Sequence, residues 1–134
     1  MSAKRIGRYR ATHWYCLVVA LFLGIRALTT LAAGAHFTLP GDGWRSIWQL
    51  VLTVVLIIGF TVPGATRVAV ATTGVVYLAA TAWELFHPDD LLGAVPVDMR
   101  DHIVHPLLAV LAAVVLVIDT ARAARGRRLA GTAG

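Results

Sequence analysis

Charge is scarce in this chain. Only 14% of its 134 residues are Asp, Glu, Lys or Arg, while 58% are hydrophobic. Soluble domains carry about a quarter charged residues, so composition alone excludes an ordinary soluble domain. Cysteine is nearly missing: the single Cys16 excludes an internal disulfide and any multi-cysteine metal centre. Its place near one end of an apolar run reads as that of a small packing residue. No Gly-rich nucleotide loop, nucleophile–base pair or paired in-membrane carboxylates occur, so no catalytic constellation is visible. Strict apolar–polar alternation is also missing, which excludes a β-barrel.

What the chain has instead is continuous apolar runs of roughly 16–22 residues, the length a bilayer core of ~30 Å demands of a helix. They predict an all-α integral membrane four-helix bundle in one domain, with spans at about 14–35, 44–62, 68–86 and 103–120. Basic tails, 1–12 and 121–134, flank them. The basic start, first apolar run and Ala33-Gly34-Ala35 also fit the outline of a cleaved signal peptide. Arg26 within that run, and the run's length, favour a retained helix. Pro63-Gly64 ends the second span. The third, with Ala69, Ala71, Thr72, Thr73, Gly74, Ala79, Ala80, Thr81 and Ala82, allows close helix approach and is expected to be the most enclosed.

The net charge of +5 is distributed unevenly. Nine of the twelve Lys and Arg residues lie in the N-terminal tail, the 63–67 turn and the C-terminal tail. By the positive-inside rule both termini face the cytoplasm of a bacterial plasma membrane. The basic tails then serve as topology signals with some attraction to anionic lipid, and no nucleic-acid partner is expected. Tyr9, Trp14 and Tyr15 fit an inner aromatic belt, and Trp44, Trp48, Trp83 and Phe86 an outer one.

An internal repeat supports two similar helical hairpins. Pro40-Gly-Asp42-Gly-Trp-Arg-Ser46-Ile47-Trp-Gln49 aligns with Pro96-Val-Asp98-Met-Arg-Asp-His102-Ile103-Val-His105. Proline, aspartate and isoleucine coincide, and each block opens an apolar run. In both, the aspartate is placed to cap a helix N-terminus.

The stretch Glu84–Pro106 gathers five of the seven acidic residues and three of the five histidines. Arg26 is the costliest residue in the sequence, since a mid-membrane arginine costs about 2.5–3.5 kcal/mol on insertion scales. Glu84 is the sole acid within an apolar run, and the two stand about 18 and 24 Å up their helices at ~1.5 Å per residue. An Arg26–Glu84 intramembrane ion pair is therefore expected. Glu84-x-x-His87 and His102-x-x-His105 place potential metal ligands one turn apart, giving His87, His102, His105 and Glu84 as a candidate metal set. Against that reading, Pro106 and Pro88 disfavour helix at the histidines before them. A polar cluster at the outer mouth of the bundle is the plainer alternative.

The segments Gly74-Val-Val-Tyr-Leu78, Leu91-Leu-Gly-Ala-Val-Pro-Val97 and Asp101-His-Ile-Val-His105 resemble an uncharacterised family of small four-helix membrane proteins of actinobacteria, a domain-of-unknown-function group with a DoxX-like hydropathy layout. The resemblance implies an inner-membrane four-helix architecture and supplies no catalytic residues. The expected function is non-enzymatic and needs no cofactor: an accessory or assembly subunit of a larger membrane complex, partnered by lipid and by other membrane subunits or copies of itself. The alternatives are a metal- or haem-binding redox subunit using the outer histidines, and a small oligomeric transporter with Arg26 and Glu84 at its site.

Overall fold

A computed structural model of the chain describes residues 9–132. Lys4, Arg5 and Arg8 of the expected N-terminal tail lie outside the described residues, as do the last two residues of the C-terminal one. Four helices follow in order: α1 (Ala11–Ala32), α2 (Asp42–Thr61), α3 (Thr66–Glu84) and α4 (Asp101–Thr132). Between α3 and α4 lies a short antiparallel pair, β1 (Asp90–Leu91) and β2 (Val95–Pro96). The all-α class agrees with expectation. Each helix begins two or three residues before its apolar run, because polar residues supply the first turn. The larger difference is in α4, which continues through Arg122, Arg125, Arg127 and Arg128 to Thr132 where a tail was expected. Alanine and arginine are good helix formers, and only Gly126 and Gly131 in that stretch disfavour the helix, without ending it.

The first turn of α1 has no side-chain cap of its own. The carboxylate of Asp119, far along α4, takes that role. It accepts from the backbone N–H groups of Ala11 (3.2 Å) and Thr12 (3.1 Å) and from the Thr12 hydroxyl (2.6 Å). An acid is favoured there because the first N–H groups of a helix lack partners and point the positive end of the helix dipole outward. This contact ties the two ends of the chain together. At the opposite end of the molecule the β1–β2 turn passes through Leu92 and Gly93, both at positive φ (56° and 71°). Asp90 Oδ1 accepts from the Gly93 N–H at 2.7 Å and closes the turn.

Helix α1 packs along α2, and α3 along α4, forming the two hairpins expected from the repeat. Between them α2 meets α3, and α1 touches both α3 and α4. The core is built from Tyr15, Cys16, Val19 and Leu23 of α1, Leu52 and Leu56 of α2, Ala69, Val70 and Tyr77 of α3, and Leu108 and Ala112 of α4. α3 is buried over the largest share of its length, as expected, though by a narrow margin: seven of its 19 residues are buried against eight of 22 in α1. Its small residues shorten the distance to α4, where a Cβ on Gly74 would stand 2.8 Å from that of Ala112.

Hydrophobicity is turned outward. Val18, Leu21, Ile25 and Leu28 of α1, Val51, Val54 and Ile57 of α2, and Leu107, Val110 and Val117 of α4 are exposed. Glu84, Asp101, His105, Asp119 and five Thr or Ser side chains among the described residues are buried instead. Helices α1, α2 and α4 are long and apolar enough to cross a membrane; α3, with threonine and alanine along its length, is not among them.

Candidate functional site

The polar interior concentrates at the end of the bundle where α4 begins. Asp98 and Asp101 form a reciprocal capping box. Asp98 Oδ1 accepts from the N–H groups of Arg100 (2.9 Å) and Asp101 (3.1 Å), while Asp101 Oδ2 accepts from the Asp98 N–H (3.1 Å). Asp98 therefore takes the capping role expected of it. Its twin Asp42 does not: it is already inside the first turn of α2 and accepts from the His36 N–H at 2.6 Å, tying down the preceding loop.

Two arginines converge on this box. Arg26 of α1 donates to Asp101 Oδ1 at 3.0 Å and stands 4.0 Å from Asp98. Arg45 of α2 lies 3.1 Å from Asp98 Oδ2 and 3.4 Å from Asp101 Oδ2. The side chain of Asp101 is 2% exposed and that of Asp98 48%. Partial burial alone would raise the Asp98 carboxyl. The hydrogen bonds from the Asp101 and Arg100 N–H groups and the adjacent Arg45 outweigh it and hold the carboxyl below its ordinary value.

The expected Arg26–Glu84 pair is thus not formed. Because α1 begins at Ala11, Arg26 sits in the last third of the helix rather than at its middle, level with the start of α4, and Asp101 is the carboxylate within its reach. Glu84 faces the histidines instead. Its Oε2 lies 3.0 Å from His102 Nδ1, and its Oε1 is bonded to His105 Nδ1. Glu84 and His105 are both buried. The His105 ring is wedged against Tyr77 and Trp48, at centroid distances of 5.2 and 5.7 Å, and those two rings stack on each other at 5.9 Å.

Of the four candidate metal ligands, Glu84, His102 and His105 come together and His87 does not. α3 ends before His87, whose ring stacks on Trp83 at 4.7 Å. His105 is helical despite Pro106, which lies inside α4, so the His102–His105 pair does share one face. Both imidazoles turn Nδ1 to the Glu84 carboxylate. Among the described residues no group of three or more His, Cys, Asp or Glu is arranged to hold a metal ion. Two of the expected belt aromatics also point inward: Trp48 joins this stack, and Tyr15 is buried with its hydroxyl donated to the Leu108 carbonyl at 2.9 Å.

The β1–β2 hairpin folds over the same end and is held to the first loop by the Gly41 N–H on the Ala94 carbonyl (2.9 Å). Beneath it Trp48, Val76, Ala80, Trp83, Leu91 and Leu92 line an apolar cavity of about 310 Å³. Sequence reasoning had not singled out Arg45, Asp98 or Asp101 as a charge cluster. The signals available for it were the Asp98-x-x-Asp101 spacing of a capping box and the position of Arg45, three residues after the aspartate of the matching block.

Fold and site together define a small four-helix protein, apolar outside, with a cluster of paired charges at one end. Residues 32–118 match the model of a family described as "Domain of unknown function (DUF4383)", and the chain belongs to that family. The match includes Arg45, Glu84, Asp101 and both buried-cluster histidines, and begins after Arg26. No curated protein and no solved structure matches the chain.

Proposed function

We propose that the chain is a non-enzymatic integral membrane protein that serves as an accessory or assembly subunit of a larger membrane complex. All four helices cross the bacterial plasma membrane, with both termini in the cytoplasm, in the manner of the DoxX-like actinobacterial proteins it resembles. The supporting observation is the inverted surface: valine, leucine and isoleucine lie outside on α1, α2 and α4, while carboxylates and a histidine lie inside. In water such a surface would aggregate; in lipid it is the low-energy arrangement. α3 crosses with its neighbours, since Thr81 bonds back to the Tyr77 carbonyl and Thr66 bonds to the Gly59 carbonyl of α2, which lowers the cost of those hydroxyls in lipid.

An accessory role suits a chain whose charged groups are spent on one another. Arg26 and Arg45 are matched by Asp98 and Asp101, and Glu84 by His102 and His105. The separate partners of Arg26 and Glu84 favour this reading over a transporter centred on an Arg26–Glu84 pair. The test is extraction of membranes in mild detergent, native sizing, and identification of whatever accompanies the chain. A stoichiometric assembly containing other membrane proteins is expected. Recovery in the carbonate-washed soluble fraction would end the membrane reading, and consistent isolation of the chain alone would end the accessory one.

A further inference from the structure

Alongside the charge cluster, α1 and α4 leave an open groove of about 450 Å³ lined by Phe22, Arg26, Arg100, Ile103 and Val104. Its two ends differ in chemistry. Arg26 and Arg100 stand at the mouth, next to the loop that precedes α4, and Phe22, one turn before Arg26 in α1, faces the apolar start of α4 below them. Phe22 is 43% exposed and Ile103 64%, so the wall is open to its surroundings.

The charge balance at the mouth is unequal. Arg26 and Arg45 are neutralised by Asp101 and Asp98. Arg100 is exposed and forms no ion pair among the described residues. Within the cluster of Arg26, Arg45, Arg100, Asp98 and Asp101 one cation is therefore left over, beside a second guanidinium that has engaged one nitrogen; Asp42, Asp89 and Asp90 lie elsewhere at this end and do not line the groove. Arg26 also lies six residues before the end of α1, about 9 Å along the helix at ~1.5 Å per residue. From that depth its long side chain extends toward the headgroups when α1 spans the bilayer.

We propose that this groove binds an anionic phospholipid of the extracytoplasmic leaflet. The phosphate sits on Arg100 and the outward edge of Arg26, and one acyl chain runs along Phe22, Ile103 and Val104. Guanidinium is matched to phosphate by its planar fork of N–H donors, and basic pockets between membrane helices hold lipid headgroups by this chemistry. A free phosphate would gain nothing from the apolar wall. The proposal rests on the membrane reading above.

The experiment is native mass spectrometry of the full chain, delipidated in detergent and titrated with phosphatidylglycerol or phosphatidylcholine of matched chain length. Wild type is expected to prefer phosphatidylglycerol by about fivefold, the factor one surface arginine contributes to anionic-lipid binding. Arg100→Gln removes that preference, Arg100→Lys retains most of it, and Arg125→Gln at the opposite end of α4 leaves it unchanged. Thermal melting of each variant confirms folding; Arg100 is exposed, so its replacement leaves the core intact. Equal binding of the two lipids overturns the proposal. So does loss of preference in Arg125→Gln but not Arg100→Gln, or full displacement of the lipid by millimolar inorganic phosphate. A chain that stays in membranes but shows no lipid preference defeats this inference alone; a chain that washes off membranes defeats the membrane reading itself.

Discussion

The two oxygens of Asp101 accept from Arg26 and the Asp98 backbone N–H, with Arg45 3.4 Å away, and the residue is 1% exposed. Removing its charge leaves Arg26 with only a 4.0 Å contact to Asp98 and weakens one half of the capping box, whereas removing either arginine leaves the carboxylate a second cation. Asp101→Asn is therefore expected to destabilise by about 3 kcal/mol, within the range for breaking a buried pair. Arg26→Gln and Arg45→Gln should each cost less. Denaturant unfolding in a fixed detergent measures the order, and an arginine variant more harmful than Asp101→Asn would refute it. Glu84 offers a parallel test. Glu84→Gln should couple with His105→Ala in a double-mutant cycle by about 1 kcal/mol or more, and be additive with Arg26→Gln within about 0.5 kcal/mol. The reverse pattern would restore the Arg26–Glu84 pair expected from sequence. That pair was misread because depth was counted along apolar runs. The polar residues from Ala11 to His13 extend α1 and move Arg26 toward the outer end, which no hydropathy pattern reveals. The histidines were legible as a cluster, but their shared partner depended on where α3 stops.

Helix pairing rests on two glycines of different consequence. Gly59 of α2 lies against Ala69 of α3, where a Cβ would collide with the alanine methyl, and Gly74 of α3 lies against Ala112 of α4. Gly126, far along α4, has nothing within 4 Å of its would-be Cβ. Alanine at Gly59 is expected to cost about 1–3 kcal/mol by overpacking, with a smaller loss at Gly74. Alanine at Gly126 should raise stability by up to about 1 kcal/mol, because helix propensity rises with no steric cost. Melting temperatures of the three variants decide it; a destabilised Gly126→Ala would show that the last turns of α4 are not an open helix. The four helices and their order were readable from apolar run length, and the 63–64 turn from Pro-Gly. The helical continuation past residue 120 was not, since arginine-rich segments read equally well as tails until propensity is weighed. The repeat foretold two hairpins but not their inequality: Asp98 caps α4, while Asp42 anchors a loop.

At the scale of the whole molecule, length fixes where the chain must leave a bilayer. α4 has 32 residues, about 48 Å at ~1.5 Å per residue, against a hydrocarbon core of ~30 Å. On the proposed membrane reading, with Asp101 held at one face by two arginines, the helix emerges on the other near Asp119 and Thr120. There Asp119 caps α1, and Arg122, Arg125, Arg127 and Arg128 follow in solvent. Nothing polar enough to anchor an interface lies between Pro106 and Ile118. In the proposed orientation this emerging end lies in the cytoplasm, as the positive-inside rule expects of positively charged flanks. The native cysteine makes the orientation directly testable, since Cys16 is 0% exposed and should not label. Single cysteines at Met99 (77% exposed) and Leu129 (67% exposed) would report the two ends. In intact cells a membrane-impermeant maleimide is expected to modify Met99→Cys and to leave Leu129→Cys untouched until the cells are permeabilised. Labelling of Leu129→Cys in intact cells, with Met99→Cys protected, would invert the molecule and put the Arg100 groove in the cytoplasmic leaflet.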